Sequence, residues 1–143
     1  MPSKAQSTSA DAHAISRRLH EATEESRLAF SAIAFEHSLT APQARLVLRL
    51  FEPTPMRDLA DHLACDASNV TGIAARLIER GLVTTAPGPD RRVKLLELTA
   101  RGRRVRSALD HAIVDTSPAM TRLTSVERLT LARLLNKLAS GGP

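Results

Sequence analysis

Two groups of side chains in this 143-residue chain have types and spacing that could do chemistry. The first is Ser68, Asn69, Thr71, Gly72 and Arg76. The second is Asp90, Arg91 and Arg92, directly after Pro87-Gly88-Pro89. Neither is equipped to break bonds. The chain shows no nucleophile paired with a base, no glycine-rich phosphate loop and no cluster of metal-ligand spacing, so an enzyme is not expected. These residues can donate and accept hydrogen bonds and present positive charge. Short polar groups at the start of a helix lie at its positive dipole end and favour anions. Prolines stiffen the tip of a hairpin and Gly88 permits its tight turn, so the arginines there are held outward. Asp90 is placed to orient a neighbouring guanidinium.

The flanking pattern supplies the elements that position these groups. Residues 67–80 read as a helix capped by Asp66 and ended by Gly81. Val70, Ile73, Ala74, Leu77 and Ile78 form its expected buried stripe. A short helix over 56–64 precedes it, with Met56, Leu59, Ala60 and Leu63 on one face. Residues 82–86 and 93–98 read as paired strands. Upstream, Thr40 caps a helix with Pro42 in its first turn, running to about Phe51, where Glu52-Pro53-Thr54-Pro55 breaks it. A long helix over 11–37 carries Ile15, Leu19, Ala22, Ala29, Phe30, Ile33 and Ala34, more apolar surface than the nearby chain can cover. Downstream, Thr99 caps a helix over about 100–117, Pro118 interrupts, and Thr124 or Ser125 starts a last helix rich in leucine. Residues 1–10 are small and polar and are expected to be disordered.

Four helices, a hairpin and two helices make a mainly α chain: a winged helix-turn-helix of six helices with a two- to three-stranded β-wing. In such a fold one helix enters the DNA major groove and the hairpin tip reaches the backbone or minor groove. Asn69 can then pair with adenine, Ser68 and Thr71 can donate to phosphates or bases, and Arg76 falls where a phosphate contact is expected. Charge agrees: residues 41–106 hold twelve basic and seven acidic residues, net +5, against −1 before and +1 after. That excess attracts phosphate. Arg101, Arg103, Arg104 and Arg106 do not share one helix face, and are expected to divide between phosphate contacts and acidic partners. With three Phe and no Trp or Tyr, the chain lacks a stacking platform for single strands.

In their order and spacing these residues resemble the multiple-antibiotic-resistance regulator (MarR) family of bacterial transcription factors. The residues are Leu39-Thr40-Ala41-Pro42-Gln43, Leu59-Ala60 and Leu63, Val70-Thr71, Leu77, Gly81-Leu82-Val83, Asp90-Arg91-Arg92, and Leu98-Thr99 with Gly102. The resemblance implies one domain over 11–143, with a DNA-binding lobe over about 41–100 and dimerisation helices over 11–37 and 101–139. It implies a homodimer on a pseudo-palindromic operator, acting as a repressor of nearby genes that a small molecule relieves. Two positions depart from the family: Gly72 stands where relatives often carry a base-reaching arginine, and Ala44 where an aromatic is common.

Sensor chemistry is sparse. Cys65, the only cysteine, cannot form an intramolecular disulfide and fills a small apolar slot before the helix cap. His13, Arg17 and His20 are weak candidates for an anion or metal site; His37, His62 and His111 lack ligand spacing. No cofactor is expected, no apolar stretch is long enough to span a bilayer, and the N-terminus has no secretory apolar core, which together predict a cytosolic protein. Two other readings use the same residues: a winged-helix module that binds protein, and a sequence-tolerant architectural DNA binder.

Overall fold

The computed structural model describes residues 4–63, 67–90 and 93–140. Its elements are α1 (Lys4–Glu36), α2 (Ala41–Arg49), β1 (Thr54–Pro55), α3 (Met56–Leu63), α4 (Ala67–Glu79), β2 (Val83–Pro87), β3 (Lys94–Leu98), α5 (Ala100–Thr116), α6 (Pro118–Arg122) and α7 (Ser125–Ser140). They form two compact units, one of residues 31–116 and one of residues 1–30 with 117–143.

The larger unit is held by a core of aliphatic side chains. Ile33, Ala34, Leu39, Ala44, Leu46, Val47 and Leu50 bury with Leu59, Ala60, Val70, Ala74 and Leu77 from the helix pair and Leu82, Val83, Leu96, Leu98 and Leu109 beyond it. Local chemistry sets the helix ends. The Thr40 hydroxyl accepts from the Gln43 backbone N–H while Gln43 Oε1 accepts from the Thr40 N–H at 3.0 Å, a reciprocal cap. At the end of α4, Gly81 adopts φ +66°, its N–H donates to Ile78 and the Leu82 N–H reaches back to Leu77 at 3.0 Å. That reversal sends the chain straight into β2. Thr99 Oγ1 accepts from the Gly102 N–H at 3.0 Å to start α5 and donates to the Gly81 carbonyl at 2.8 Å. One residue thus ties the base of the wing to the end of α4.

The sheet order is β1-β3-β2, antiparallel throughout. β2 and β3 pair Val83 with Leu98 through Pro87 with Lys94. β1 pairs Thr54 with Leu96 and Pro55 with Leu95, so the segment expected as a plain break supplies the third strand. Two residues, one of them a proline, carry no alternation that a sequence pattern could register.

The smaller unit is built differently. Arg122 forms a two-pronged pair with Glu25, at 2.7 and 3.2 Å, between α6 and α1. α7 starts with another reciprocal cap: Glu127 Oε2 accepts from the Thr124 N–H and hydroxyl, each at 2.8 Å, and Thr124 Oγ1 accepts from the Glu127 N–H. These two donors hold the Glu127 carboxyl below its ordinary range, the backbone N–H having the larger effect. α7 buries none of its residues.

Two expectations about the helices change. α1 begins at Lys4 rather than residue 11, so residues 4–10, expected to be disordered, continue its helical backbone; Ala5, Gln6 and Ala10 suit a helix. Pro118 does more than interrupt: it is the first residue of a seventh helix, α6, since proline at that position loses no helical hydrogen bond.

Candidate nucleic-acid interface

The helix pair α3–α4 packs through Leu59, Ala60, Val70, Ala74 and Leu77, all buried. That packing turns the other side of α4 outward. Ser68, Asn69, Thr71, Gly72 and Arg76 are all exposed there, so the structure places the whole expected set on solvent-facing positions of one helix. A Cβ built on Gly72 would meet no atom within 4 Å, so this position opens onto free space. The buried stripe is narrower than periodicity suggests. Ile73 is half-buried and Ile78 is 40% exposed, a correction to its expected core role. Ile78 lies in the last turn, just before the Gly81 reversal takes the chain away to β2.

Thr71 also meets its own protein: its hydroxyl donates to Met56 Sδ at 3.8 Å, linking α4 to the first residue of α3. No sequence signal pairs residues so far apart. Asp66, the expected cap of α4, and Cys65 lie outside the described residues.

The wing tip is closed by two backbone bonds. The Gly88 N–H donates to the Val93 carbonyl and the Val93 N–H to the Asp90 carbonyl, both at 2.9 Å. Asp90 is exposed at this tip, whereas Arg91 and Arg92 lie outside the described residues.

The arginines after β3 have a role the sequence did not disclose. Arg103 donates to the Leu98 carbonyl at 2.9 Å and Arg101 to the Arg80 carbonyl at 3.2 Å. Arg106 donates to the Leu50 carbonyl at 2.9 Å while its guanidinium stands 5.1 Å over the Phe51 ring. Arg80 in turn donates to the Ser38 carbonyl, at a residue with φ +57°. The expected acidic partners are corrected: among the described residues none of Arg101, Arg103, Arg104 and Arg106 is in an ion pair. Three of them satisfy carbonyls where helices and strands end, groups that have no partner within their own element. Their positive charge nevertheless remains in the larger unit.

His13, Arg17 and His20 are exposed along α1 in the smaller unit, with the Arg17 guanidinium 4.0 Å from the Glu21 carboxylate. His111 Nδ1 lies 2.7 Å from the Ser107 carbonyl. Among the described residues no group of three His, Cys, Asp or Glu side chains could hold a metal ion. No helix among them is long and apolar enough to cross a membrane.

A helix pair with an outward polar face, joined to a three-stranded antiparallel wing within a segment of net charge +5, is the arrangement of a winged helix DNA-binding domain. The family profile of the winged helix DNA-binding domain matches residues 39–102. Among solved structures, the chain is similar to MarR of E. coli in its apo form at 25% identity, covering 86% of this chain and 95% of that one with a TM-score of 0.71. It is similar at 25% identity to Bordetella bronchiseptica BpsR, whose DNA binding is regulated by 6-hydroxynicotinic acid, over 90% of this chain and 94% of that one with a TM-score of 0.70. A probable transcriptional regulator of Pseudomonas aeruginosa matches at 29% identity over 87% and 96% of the two chains, with a TM-score of 0.67. Among curated protein sequences none matches this chain. The chain carries a winged helix DNA-binding domain and is similar in fold to solved MarR-family regulators, which supports a DNA-binding transcriptional regulator.

Proposed function

We propose that this regulator is a homodimeric repressor that binds a pseudo-palindromic operator, with α4 of each protomer in a major groove and the wing tip in the adjacent minor groove. One observation carries the reading. The outward face of α4 presents Ser68, Asn69, Thr71, Gly72 and Arg76 to solvent, beside a wing whose tip exposes Asp90, which Arg91 and Arg92 follow in the sequence. In this reading Asn69, Ser68 and Thr71 meet base edges or phosphates and Arg76 a phosphate. Arg91 and Arg92 enter the negative potential of a narrow minor groove. Gly72 adds no base contact, which shifts affinity toward the wing and the backbone.

The terminal helices support the dimer. Ile15 is 67%, Val126 73%, Leu129 73% and Leu138 66% exposed, apolar surface that a lone chain would leave in water. A two-fold partner covers such a face with its own copy. Leu129→Glu therefore converts the dimer to a monomer in light scattering.

Relief of repression by a small molecule is part of the proposal; BpsR, whose DNA binding is regulated by 6-hydroxynicotinic acid, supports a small-molecule effector. His13, Arg17 and His20, three or four residues apart on α1, are the candidate anion seat. The test is binding to fragments of the chain's own upstream intergenic region, at physiological salt with excess competitor DNA. Retention of one fragment with a protected palindrome supports the reading. Equal binding to every fragment replaces it with the architectural one, and no binding favours the protein-interaction module. Arg92→Ala weakens operator binding by roughly 1–3 kcal/mol.

A further inference from the structure

The two grooves of DNA are separated by one sugar-phosphate strand. A protein that places α4 in one groove and the wing tip in the next must let that strand pass over the surface between them. In this fold that surface is built by β1 and the start of α3. Pro55 pairs opposite Leu95, which brings Met56 and Arg57 beside Lys94, the first residue of β3. On its other side Met56 receives the Thr71 hydroxyl of α4. Met56 thus stands between the outward face of α4 and the tip-side end of the wing strands, where Lys94 pairs with Pro87.

An open groove of about 610 Å³ runs there, lined by Pro55, Met56, Arg57, Asp58, Val93 and Lys94. Its chemistry suits a sugar-phosphate strand. Pro55, Met56 and Val93 give it apolar surface, with Val93 39% exposed, that can lie against deoxyribose. Arg57 and Lys94 are exposed and bring two positive charges, against the single carboxylate of the half-buried Asp58. Arginine and lysine in such positions contact phosphate and fix register without reading sequence.

We infer that this groove seats the phosphate strand between the two DNA grooves, with Arg57 and Lys94 as its phosphate contacts. The inference rests on the proposed placement of α4 and the wing, and it names a contact surface outside both. It also identifies backbone contacts that add affinity where Gly72 contributes no side chain.

The test measures affinity for the operator fragment and for a random fragment of equal length, from about 50 to 200 mM salt. Arg57→Ala and Lys94→Ala each lower the slope of log K against log salt by about 0.9 per protomer bound. At roughly 0.15 M salt that slope corresponds to about fivefold weaker binding, by the same factor on both fragments. The double variant loses about twice as much slope. Arg57→Lys and Lys94→Arg keep the wild-type slope, since each retains its charge. An unchanged slope in both alanine variants overturns the inference, as does a loss confined to the operator fragment, which would mean base readout. Failure of the operator reading shows itself separately: the wild-type protein then prefers neither fragment, whatever the variants do to the slope.

Discussion

Replacing Gly102 with alanine puts a methyl group where the structure has no room. A Cβ at this position would sit 2.0 Å from the Leu82 carbonyl oxygen, 3.0 Å from its carbon and 3.1 Å from Leu98 Cδ2. Carbon–oxygen contacts settle near 3.3 Å or beyond, so the start of α5 must withdraw from Leu82 by about 1 Å or more. The obstacle is backbone, which cannot swing aside like a side chain. Withdrawal strains the bond to the same carbonyl from the Thr99 N–H at 3.1 Å and the longer arm, at 3.2 Å, of the Thr99 hydroxyl bond shared with the Gly81 carbonyl. Overpacking of this kind costs about 1–3 kcal/mol, and each hydrogen bond lost about 1 kcal/mol more. Alanine returns about 1 kcal/mol through its higher helix propensity. The net expectation is destabilisation by roughly 2–4 kcal/mol. Gly72→Ala is the matched control. Its Cβ would meet nothing within 4 Å, so only the propensity gain remains and the protein is stabilised by up to about 1 kcal/mol. Urea unfolding at fixed protein concentration reads both, as midpoint shifts of opposite sign at constant m. A Gly102→Ala protein as stable as wild type would refute the close approach of α5 to Leu82.

Further outcomes are expected from the same contacts. Gly81→Ala forces a side chain into φ +66° and costs about 1–2 kcal/mol, measured by urea unfolding. Arg106→Ala removes the bond to the Leu50 carbonyl and the stacking over Phe51, lowering stability by about 1–2 kcal/mol, and Arg106→Lys recovers only part. Glu127 has a folded pKa below its ordinary value of 4.5, so its cap stabilises α7 above that pH and the effect fades as pH falls through the lower folded value. The melting temperatures of wild type and Glu127→Ala therefore differ most near neutral pH and converge below about pH 4.5.

The winged fold was largely legible in the chain because its signals are local. Thr40 with Gln43, Gly81 and Thr99 each act on backbone groups within a few residues, and each sits in the structure where its chemistry assigns it. The outward set on α4 follows from helical periodicity once Val70, Ala74 and Leu77 are buried. Ile78 did not follow, because a stripe predicted from periodicity ignores the chain turning away one turn later.

Sequence by itself determined the order of the six longer helices and of the β2–β3 hairpin, the caps at Thr40, Gly81 and Thr99, the basic character of residues 41–106 and the likeness to a DNA-binding class. These depend on residue type and on spacings of a few positions, which any copy of the chain carries without folding. Only the tertiary structure decided which distant groups meet. It paired the two residues of β1 with β3, set Met56 against Thr71, and laid the start of α5 on the Leu82 carbonyl at Gly102. It also turned arginines that look like free phosphate ligands toward the carbonyls of Leu50, Arg80 and Leu98. The physical reason is that a guanidinium bonds whichever unsatisfied oxygen the fold brings within reach, and a backbone carbonyl leaves no mark in the sequence of side chains.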